Sequence, residues 1–171
     1  MACQGKAMEE QDWPAGGRMM DIRLYYEKAG DGEPLILLHG NGEDGTYFKH
    51  QMEYFSKDYR VIAIDTRGHG KSPRGEKPFT IRQFAEDLNG FMEEQGMEKA
   101  HLLGFSDGGN IALAFALRYP GKVESLILNG ANLCPAGVKP SVRIPIVLGI
   151  RSHPFGRFHH RSRQKAEMLG L

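Results

Sequence analysis

The stretch "HLLGFSDGGNIALAF", His101–Phe115, sets an apolar run against small residues and then a helix-like apolar run, with a single serine between them. Its centre, "GFSDG", has the form G-x-S-x-G between a predicted strand and a predicted helix, which is the setting of a nucleophile elbow. Such a turn needs small neighbours, here Gly104, Gly108 and Gly109, because the serine is held in a strained backbone conformation. We therefore predict that Ser106 is a nucleophile. The alternative is a serine that only caps the helix, beside glycines that allow close helix–sheet packing.

Strand-like apolar runs alternate with amphipathic segments along the rest of the chain. In the amphipathic segments, apolar residues recur at steps of three and four, as they do on one face of a helix. Buried strands that alternate with helices predict an α/β fold with a doubly wound, mostly parallel sheet. The predicted strands are Ile22–Glu27, Pro34–Leu38, Arg60–Asp65, Ala100–Leu103 and Val123–Leu128, and the predicted helices are Tyr47–Ser56, Thr80–Glu94 and Asp107–Arg118.

The composition is that of one globular domain. The 171 residues are 40% hydrophobic and 25% charged, with a formal net charge of +1. Seven Lys or Arg and no Asp or Glu fall between Lys139 and Lys165, which indicates a solvated surface. No run approaches the ~18 apolar residues of a membrane span, and the N-terminus lacks the apolar core of a signal peptide. Cys3 and Cys134 imply no disulfide framework, so we expect a cytoplasmic protein. Because the net charge is close to zero and no segment could span a membrane, we expect no membrane or nucleic-acid partner.

The loop "LLHGNGEDG", Leu37–Gly45, raises a competing hypothesis. Three of its residues match the G-x-G-x-x-G fingerprint of dinucleotide-binding proteins, namely Gly40, Gly42 and Gly45. Asp65 ends the next predicted strand, where a ribose-binding acid would be expected. Against this hypothesis, Glu43 and Asp44 would place like charges beside a bound pyrophosphate. A dinucleotide-binding enzyme therefore stays as an alternative function.

Four segments taken together resemble the α/β-hydrolase-fold family: "LLHGNG", "DTRGHGKS", "GFSDGG" and "RYPGKVESLILNGAN". Their order and spacing match the family over roughly 21–132. The "GFSDGG" and "NGAN" segments are most similar to the valacyclovir-hydrolase-like, lactonase and small esterase branch. The resemblance implies a serine hydrolase with no cofactor and no metal.

The resemblance also implies roles for the matching residues. Ser106 corresponds to the nucleophile, and the backbone N–H groups of Asn41 and Asp107 correspond to the oxyanion hole. The residues of the supporting loops are His39, Gly40, Gly42, Gly104 and Gly108. His39 is expected to orient its turn rather than to act as a base, and His69 is expected to belong, with Asp65 and Arg67, to a structural loop. An oxyanion loop and a pyrophosphate loop both need close backbone approach, which explains the glycine match without a cofactor.

The acid and the histidine of the triad are not identifiable in this sequence. The family's order is Ser, then Asp or Glu, then His. Asp107 adjoins the nucleophile, Glu124 begins a strand at the wrong end of the sheet, and Glu167 follows every histidine. The later histidines are His153, His159 and His160, in the segment that resembles the start of a helical lid.

We therefore expect three regions. Residues 1–19 are expected to be a disordered N-terminal extension, and 20–132 the N-terminal part of an α/β-hydrolase core. Residues 133–171 are expected to begin a lid within which the chain stops, so that the C-terminal strands of the sheet are missing. Without its base, Ser106 is an ordinary alcohol, so we expect this chain to be inactive or weak.

The predicted function is hydrolysis of a carboxylic ester, a lactone or a related small acyl substrate. The Asp107 carboxylate beside the nucleophile favours a cationic substrate. A serine where some relatives carry an aspartate nucleophile disfavours dehalogenase and epoxide hydrolase chemistry. Two alternatives of other classes are a non-catalytic binding protein of the same fold and a partial domain completed by another chain.

Overall fold

The computed structural model describes residues 21–132, and every structural statement below refers to that part of the chain. The expected extension, 1–19, and the expected lid segment, 133–171, lie outside the described residues. The same holds for the two cysteines and for the polar candidates of the lid segment, His153, His159, His160 and Glu167.

Strands and helices alternate through the described part of the chain. In order they are β1 (Tyr26–Ala29), β2 (Glu33–Leu38), α1 (Lys49–Phe55), β3 (Tyr59–Ile64), α2 (Ile81–Glu94), β4 (Ala100–Phe105), α3 (Asp107–Arg118) and β5 (Val123–Asn129). Short 3-10 helices span Gly45–Phe48 and Pro120–Lys122. None of the helices between residues 21 and 132 has the length and hydrophobicity of a membrane span.

The strands form one mixed sheet in the order β1-β3-β2-β4-β5. β2 pairs in parallel with β3 and β4, and β4 pairs in parallel with β5, whereas β1 runs antiparallel to β3. Apolar residues are buried on both faces, against α2 and α3 on one side and α1 with its preceding 3-10 helix on the other. The parallel pairing places the carboxyl ends of the four central strands at one edge of the sheet, where open α/β sheets bind their ligands.

The predicted α/β fold class is confirmed. α3 begins and ends at the predicted residues, and α2 begins one residue after the predicted Thr80. The reason is local, because Thr80 caps α2 by accepting a hydrogen bond from the Gln83 N–H at 3.2 Å.

The first strand begins four residues later than predicted. The pattern predicts a strand over Ile22–Glu27, but β1 is Tyr26–Ala29, so only Tyr26 and Glu27 lie in both. Ile22 and Leu24 do bury their side chains in the core, which explains the strand-like pattern. The backbone of Tyr25, however, pairs with a loop: its N–H donates to Ser72 Oγ at 2.8 Å, and its carbonyl accepts from the Asp65 N–H at 2.9 Å.

A buried arginine fixes the loop that follows β3. Arg67 is fully buried, and its Nε and Nη2 each donate to one carboxylate oxygen of Asp87, on α2, at 2.7 Å. Its Nη1 and Nη2 donate to Asp21 at 3.1 and 2.6 Å, and Nη1 also donates to the Arg74 carbonyl at 3.0 Å. The guanidinium therefore ties the loop to α2 and to the segment that precedes β1.

Candidate active site

Ser106 lies in the sharp turn between β4 and α3. Its backbone has φ 52° and ψ −116°, and Ser106 is the one non-glycine residue with a positive φ in residues 21–132. A non-glycine residue in such a conformation costs about 1–3 kcal/mol, so the surrounding structure must hold it there. The Ser106 N–H donates to the Asn129 carbonyl at 2.8 Å, and the Ser106 carbonyl accepts from the Asn110 N–H at 3.1 Å. The end of β5 and the first turn of α3 therefore anchor the serine.

Glycines let three main-chain segments meet at this turn. A Cβ on Gly104 would overlap the backbone of Gly108, and a Cβ on Gly108 would overlap the carbonyl of Leu38 at the end of β2. A Cβ on Gly40 would lie 3.2 Å from the Cβ of Ser106. These close approaches bring the loop that follows β2 against Ser106.

The strain at Ser106 gives the first testable prediction. Glycine adopts a positive φ without a penalty, so we expect Ser106→Gly to be more stable than Ser106→Ala by about 1–2 kcal/mol in urea unfolding. Ala116→Gly, within α3, is the matched control, and there glycine is expected to be the less stable residue by about 0.5–1 kcal/mol. Equal stability of the two Ser106 variants would show that the turn is not strained.

The loop after β2 forms a hydrogen-bonded turn. The Glu43 N–H donates to the Gly40 carbonyl at 3.2 Å, and Gly42, at the third position, has φ 77°, which favours glycine. In the described residues the N–H of Asn41 has no acceptor, and neither does that of Asp107, the first residue of α3. Two unpaired N–H donors therefore belong to the two loops that meet at Ser106.

His39 has both ring nitrogens engaged within the fold. The side chain is buried, with Nδ1 2.8 Å from the Gly40 carbonyl and Nε2 accepting the Thr66 N–H at 3.0 Å. These bonds require a neutral ring that carries its proton on Nδ1, and burial lowers the pKa of His39 accordingly. His39 is therefore placed to orient the turn.

Asp65 joins the two loops beside the site. Its Oδ1 accepts the Gly45 N–H at 2.7 Å, its Oδ2 accepts the Lys71 N–H at 2.8 Å, and the side chain is buried. The Asp65 carboxylate is therefore not available to a ribose, and the Gly45 N–H is not available to a pyrophosphate. This geometry opposes the dinucleotide hypothesis. In residues 21–132, no three His, Cys, Asp or Glu side chains are grouped as metal ligands.

Two half-buried carboxyl groups lie in these loops. Burial raises the pKa of Asp107, although a hydrogen bond from Asn110 Nδ2 at 3.3 Å opposes the shift. Burial also raises the pKa of Glu43, to about 7, and the Glu43 Oε2 accepts the Gly40 N–H at 3.0 Å. The sequence motifs predict no contact for Glu43 or Asn110. Their spacing of three residues from Gly40 and Asp107 is the signal that could have indicated these local hydrogen bonds.

No histidine in residues 21–132 lies within hydrogen-bond distance of the Ser106 hydroxyl, which is half-buried and has no hydrogen-bond partner there. His69, in the loop after β3, has Nδ1 3.1 Å from the Arg67 carbonyl and Nε2 3.4 Å from Asn41 Oδ1. His101 and Glu124 lie near the start of β4 and β5, at the opposite end of the sheet. The described residues therefore bring the predicted nucleophile and the predicted oxyanion loop together, without a base.

A mostly parallel sheet with helices on both faces, and a strained serine in the turn between β4 and α3, defines a protein of the α/β class. A family model described as alpha/beta hydrolase fold matches residues 33–144. The chain therefore belongs to the α/β-hydrolase fold family.

Named relatives within the family are hydrolases. The chain is 36% identical over 110 residues to the putative carbamate hydrolase RutD of Caulobacter sp. (strain K31), an alignment that covers 61% of this chain and 41% of the relative. It is 34% identical over 135 residues to the 2-hydroxy-6-oxo-6-phenylhexa-2,4-dienoate hydrolase of Comamonas testosteroni, covering 75% and 45%. The solved structure of a thermophilic esterase from Thermogutta terrifontis, with malate bound, superposes with a TM-score of 0.67 at 33% identity, covering 78% of this chain and 51% of the esterase. The chain thus spans less than half the length of these two curated relatives.

Proposed function

We propose that this chain carries the nucleophile and the oxyanion hole of a serine hydrolase that acts on a carboxylic ester, a lactone or a related acyl substrate. The observation that carries the proposal is the positive φ of Ser106 in the turn between β4 and α3. Strain of this kind persists only where surrounding contacts impose it, and it occurs preferentially at functional sites. The hydrolase activities of the named relatives support the same reaction class.

The chemistry follows from the groups that meet at the turn. Ser106 Oγ gives up its proton to water and attacks the acyl carbon, the carbonyl electrons move to oxygen, and the tetrahedral oxyanion accepts hydrogen bonds from the N–H groups of Asn41 and Asp107. Collapse of this intermediate breaks the bond to the leaving oxygen, which takes up a proton from water as the alcohol departs or the lactone opens. A second water then hydrolyses the acyl ester, which releases the carboxylic acid and returns a proton to Ser106 Oγ. Each donor is expected to contribute about 10²–10³ to the rate, and the N-terminus of α3 adds a favourable dipole.

Proton transfer limits what the described residues can do. They hold no imidazole against Ser106, so they supply nucleophile, oxyanion hole and position but no base. In a serine hydrolase, loss of the triad costs about 10⁶ in turnover and leaves about 10³–10⁴ over the reaction in water. We therefore propose slow turnover by the 171-residue chain when it is assayed alone.

Covalent labelling with a serine-directed fluorophosphonate tests the proposal. We expect slow modification of the chain at one site, mapped to Ser106 by peptide mass spectrometry, and no modification of Ser106→Ala. Ser125→Ala is the matched control, and this variant should be labelled like the unaltered chain. Ser125 lies near the start of β5, where its hydroxyl forms a hydrogen bond with His101 Nδ1.

The outcome also separates the alternatives. Equal labelling of the unaltered chain and Ser106→Ala would place the reactive group elsewhere. No labelling of either protein would favour a non-catalytic binding protein of the same fold.

A further inference from the structure

Glu43 closes a ring of hydrogen bonds around the turn that carries the proposed oxyanion donor. Its N–H donates to the Gly40 carbonyl, and its own carboxylate accepts the Gly40 N–H at 3.0 Å. The two bonds run in opposite directions between the same two residues, so they fix the first and last residues of the turn. Asn41, whose N–H is unpaired in the described part of the chain, lies between them.

The same carboxylate lies close to Ser106. A Cβ at position 40 would be 3.0 Å from Glu43 Oε2 and 3.2 Å from Ser106 Cβ, so one glycine separates the two side chains. The Glu43 side chain is half-buried near Tyr47, whose ring stacks on Phe105 with the centroids 4.8 Å apart. A Cβ at position 40 would require these side chains to shift by a few tenths of an ångström.

The charge of Glu43 changes near neutral pH. Burial raises its pKa to about 7, the Gly40 N–H opposes that shift, and the neighbouring charge of Asp44 adds to it. Burial, together with the charge of Glu43, raises the pKa of Tyr47 to about 12, so Tyr47 stays neutral. Asp107, the residue after Ser106, is the other carboxyl group of the site with a raised pKa. A negative charge on Glu43 therefore appears beside a position where the proposed reaction develops another negative charge.

We propose that Glu43 is a positioning residue that holds Asn41 through Gly40, and that its ionised carboxylate weakens the oxyanion hole. This inference rests on the proposed function, because it assigns a role toward the oxyanion formed at Ser106. The two parts of the role oppose each other. The hydrogen bond to Gly40 shapes the turn, whereas the charge disfavours the intermediate that the turn stabilises.

Two substitutions separate these effects. Glutamine keeps an oxygen that can accept the Gly40 N–H but carries no charge. For Glu43→Gln we expect unchanged acylation of Ser106 by p-nitrophenyl acetate at about pH 5 and acylation about tenfold faster than in the unaltered chain at about pH 9. Glu43→Ala loses the acceptor, and we expect acylation to fall by about 10–100-fold at about pH 5, where charge has no part.

Asp44→Asn is the matched control for the loss of charge. Asp44 is the next residue, and its Oδ1 caps the following 3-10 helix by accepting the Thr46 N–H at 2.9 Å. Asparagine can keep that cap, and the side chain makes no hydrogen bond to Gly40. We expect Asp44→Asn to change acylation less than twofold relative to the unaltered chain at both pH values.

A measurement without catalysis tests the contact itself. In amide NMR spectra of the folded chain, the Gly40 N–H signal should titrate with a midpoint near the Glu43 pKa of about 7. The titration should disappear in Glu43→Gln and Glu43→Ala, and the spectra would also show that both variants fold.

The outcomes are distinguishable. The expected titration together with the expected pattern of rates supports the inference. Ser106-dependent acylation with the same pH response in Glu43→Gln and the unaltered chain would overturn the inference and leave the proposed function standing. Absence of Ser106-dependent acylation in every protein would overturn both.

Discussion

Replacing Arg67 with methionine is expected to lower the free energy of unfolding by about 3–5 kcal/mol, because it leaves a buried carboxylate without its cation. Asp87 is 2% exposed and takes two hydrogen bonds from the guanidinium. Gln83 Nε2, at 3.0 Å, remains as a donor, but an amide does not neutralise the charge. Urea unfolding followed by circular dichroism measures the loss.

An exposed arginine provides the control for Arg67. The Arg23 side chain is 88% exposed and pairs with Glu94 at 2.8 Å, so Arg23→Met should change stability by no more than about 0.5 kcal/mol. Combining Arg67→Met with Asp87→Asn should cost less than the sum of the two single changes, because the double variant leaves no unpaired charge at Asp87. A loss below about 1 kcal/mol in Arg67→Met would contradict a structural role for this network.

The pH dependence of the free energy of unfolding tests the same network. The hydrogen bonds from Arg67 hold the pKa of Asp21 well below its usual value. Because the folded-state pKa is the lower one, the stabilisation is present above the ordinary pKa of about 4 and is lost as the pH falls below it. Arg67→Met should therefore lose less stability on acidification than the unaltered chain does.

Replacing Gly108 with alanine is expected to destabilise the protein by about 3 kcal/mol or more and to slow labelling of Ser106. The new Cβ would overlap the Leu38 carbonyl and lie 2.7 Å from the His39 carbonyl oxygen. Both obstacles are main-chain atoms at the end of a central strand, so no flexible side chain can move aside. Relief requires α3 to shift away from β2, and such a shift separates Ser106 from Gly40.

Gly121→Ala is the matched control for Gly108→Ala. No heavy atom outside its chain neighbours lies within 4 Å of a Cβ at position 121, and its φ is not in the left-handed region. The change should be neutral or stabilise the protein by up to about 1 kcal/mol, because alanine restricts the unfolded chain. Similar unfolding midpoints for the two variants would mean that α3 and β2 are not in close contact.

The sequence predicted those parts of the fold that follow from local pattern. Short apolar runs marked β2, β3, β4 and β5, and the glycine-rich turn between an apolar run and a helical run marked the start of α3. The sequence did not predict the antiparallel β1, because alternation at Ile22–Glu27 reports which side chains are buried. This alternation does not determine which backbone groups pair. The backbone of Tyr25 pairs with residues 40 to 47 positions later in the sequence, which no local pattern indicates.

The candidate site divides in the same way. The G-x-S-x-G motif indicates Ser106, and the resemblance to the family indicates Asn41 and Asp107. The structure brings the loop after β2 and the turn before α3 together. From the sequence, the carboxylate of Glu43 is only an obstacle to pyrophosphate, because its contact with Gly40 depends on the shape of the turn. Arg67 and Asp87 are 20 residues apart in the sequence, and they come into contact only because α2 packs against the loop after β3. The sequence pattern therefore does not predict this ion pair.

At Gly104 and Gly108 the close contacts join main chain to main chain, so the position of the Ser106 turn against the end of β2 does not depend on which side chains cover the site. Residues around the opening can therefore be exchanged one after another while the start of α3 keeps its place against β2. Under the proposed function, a protein built in this way can change its substrate by altering the surface around Ser106.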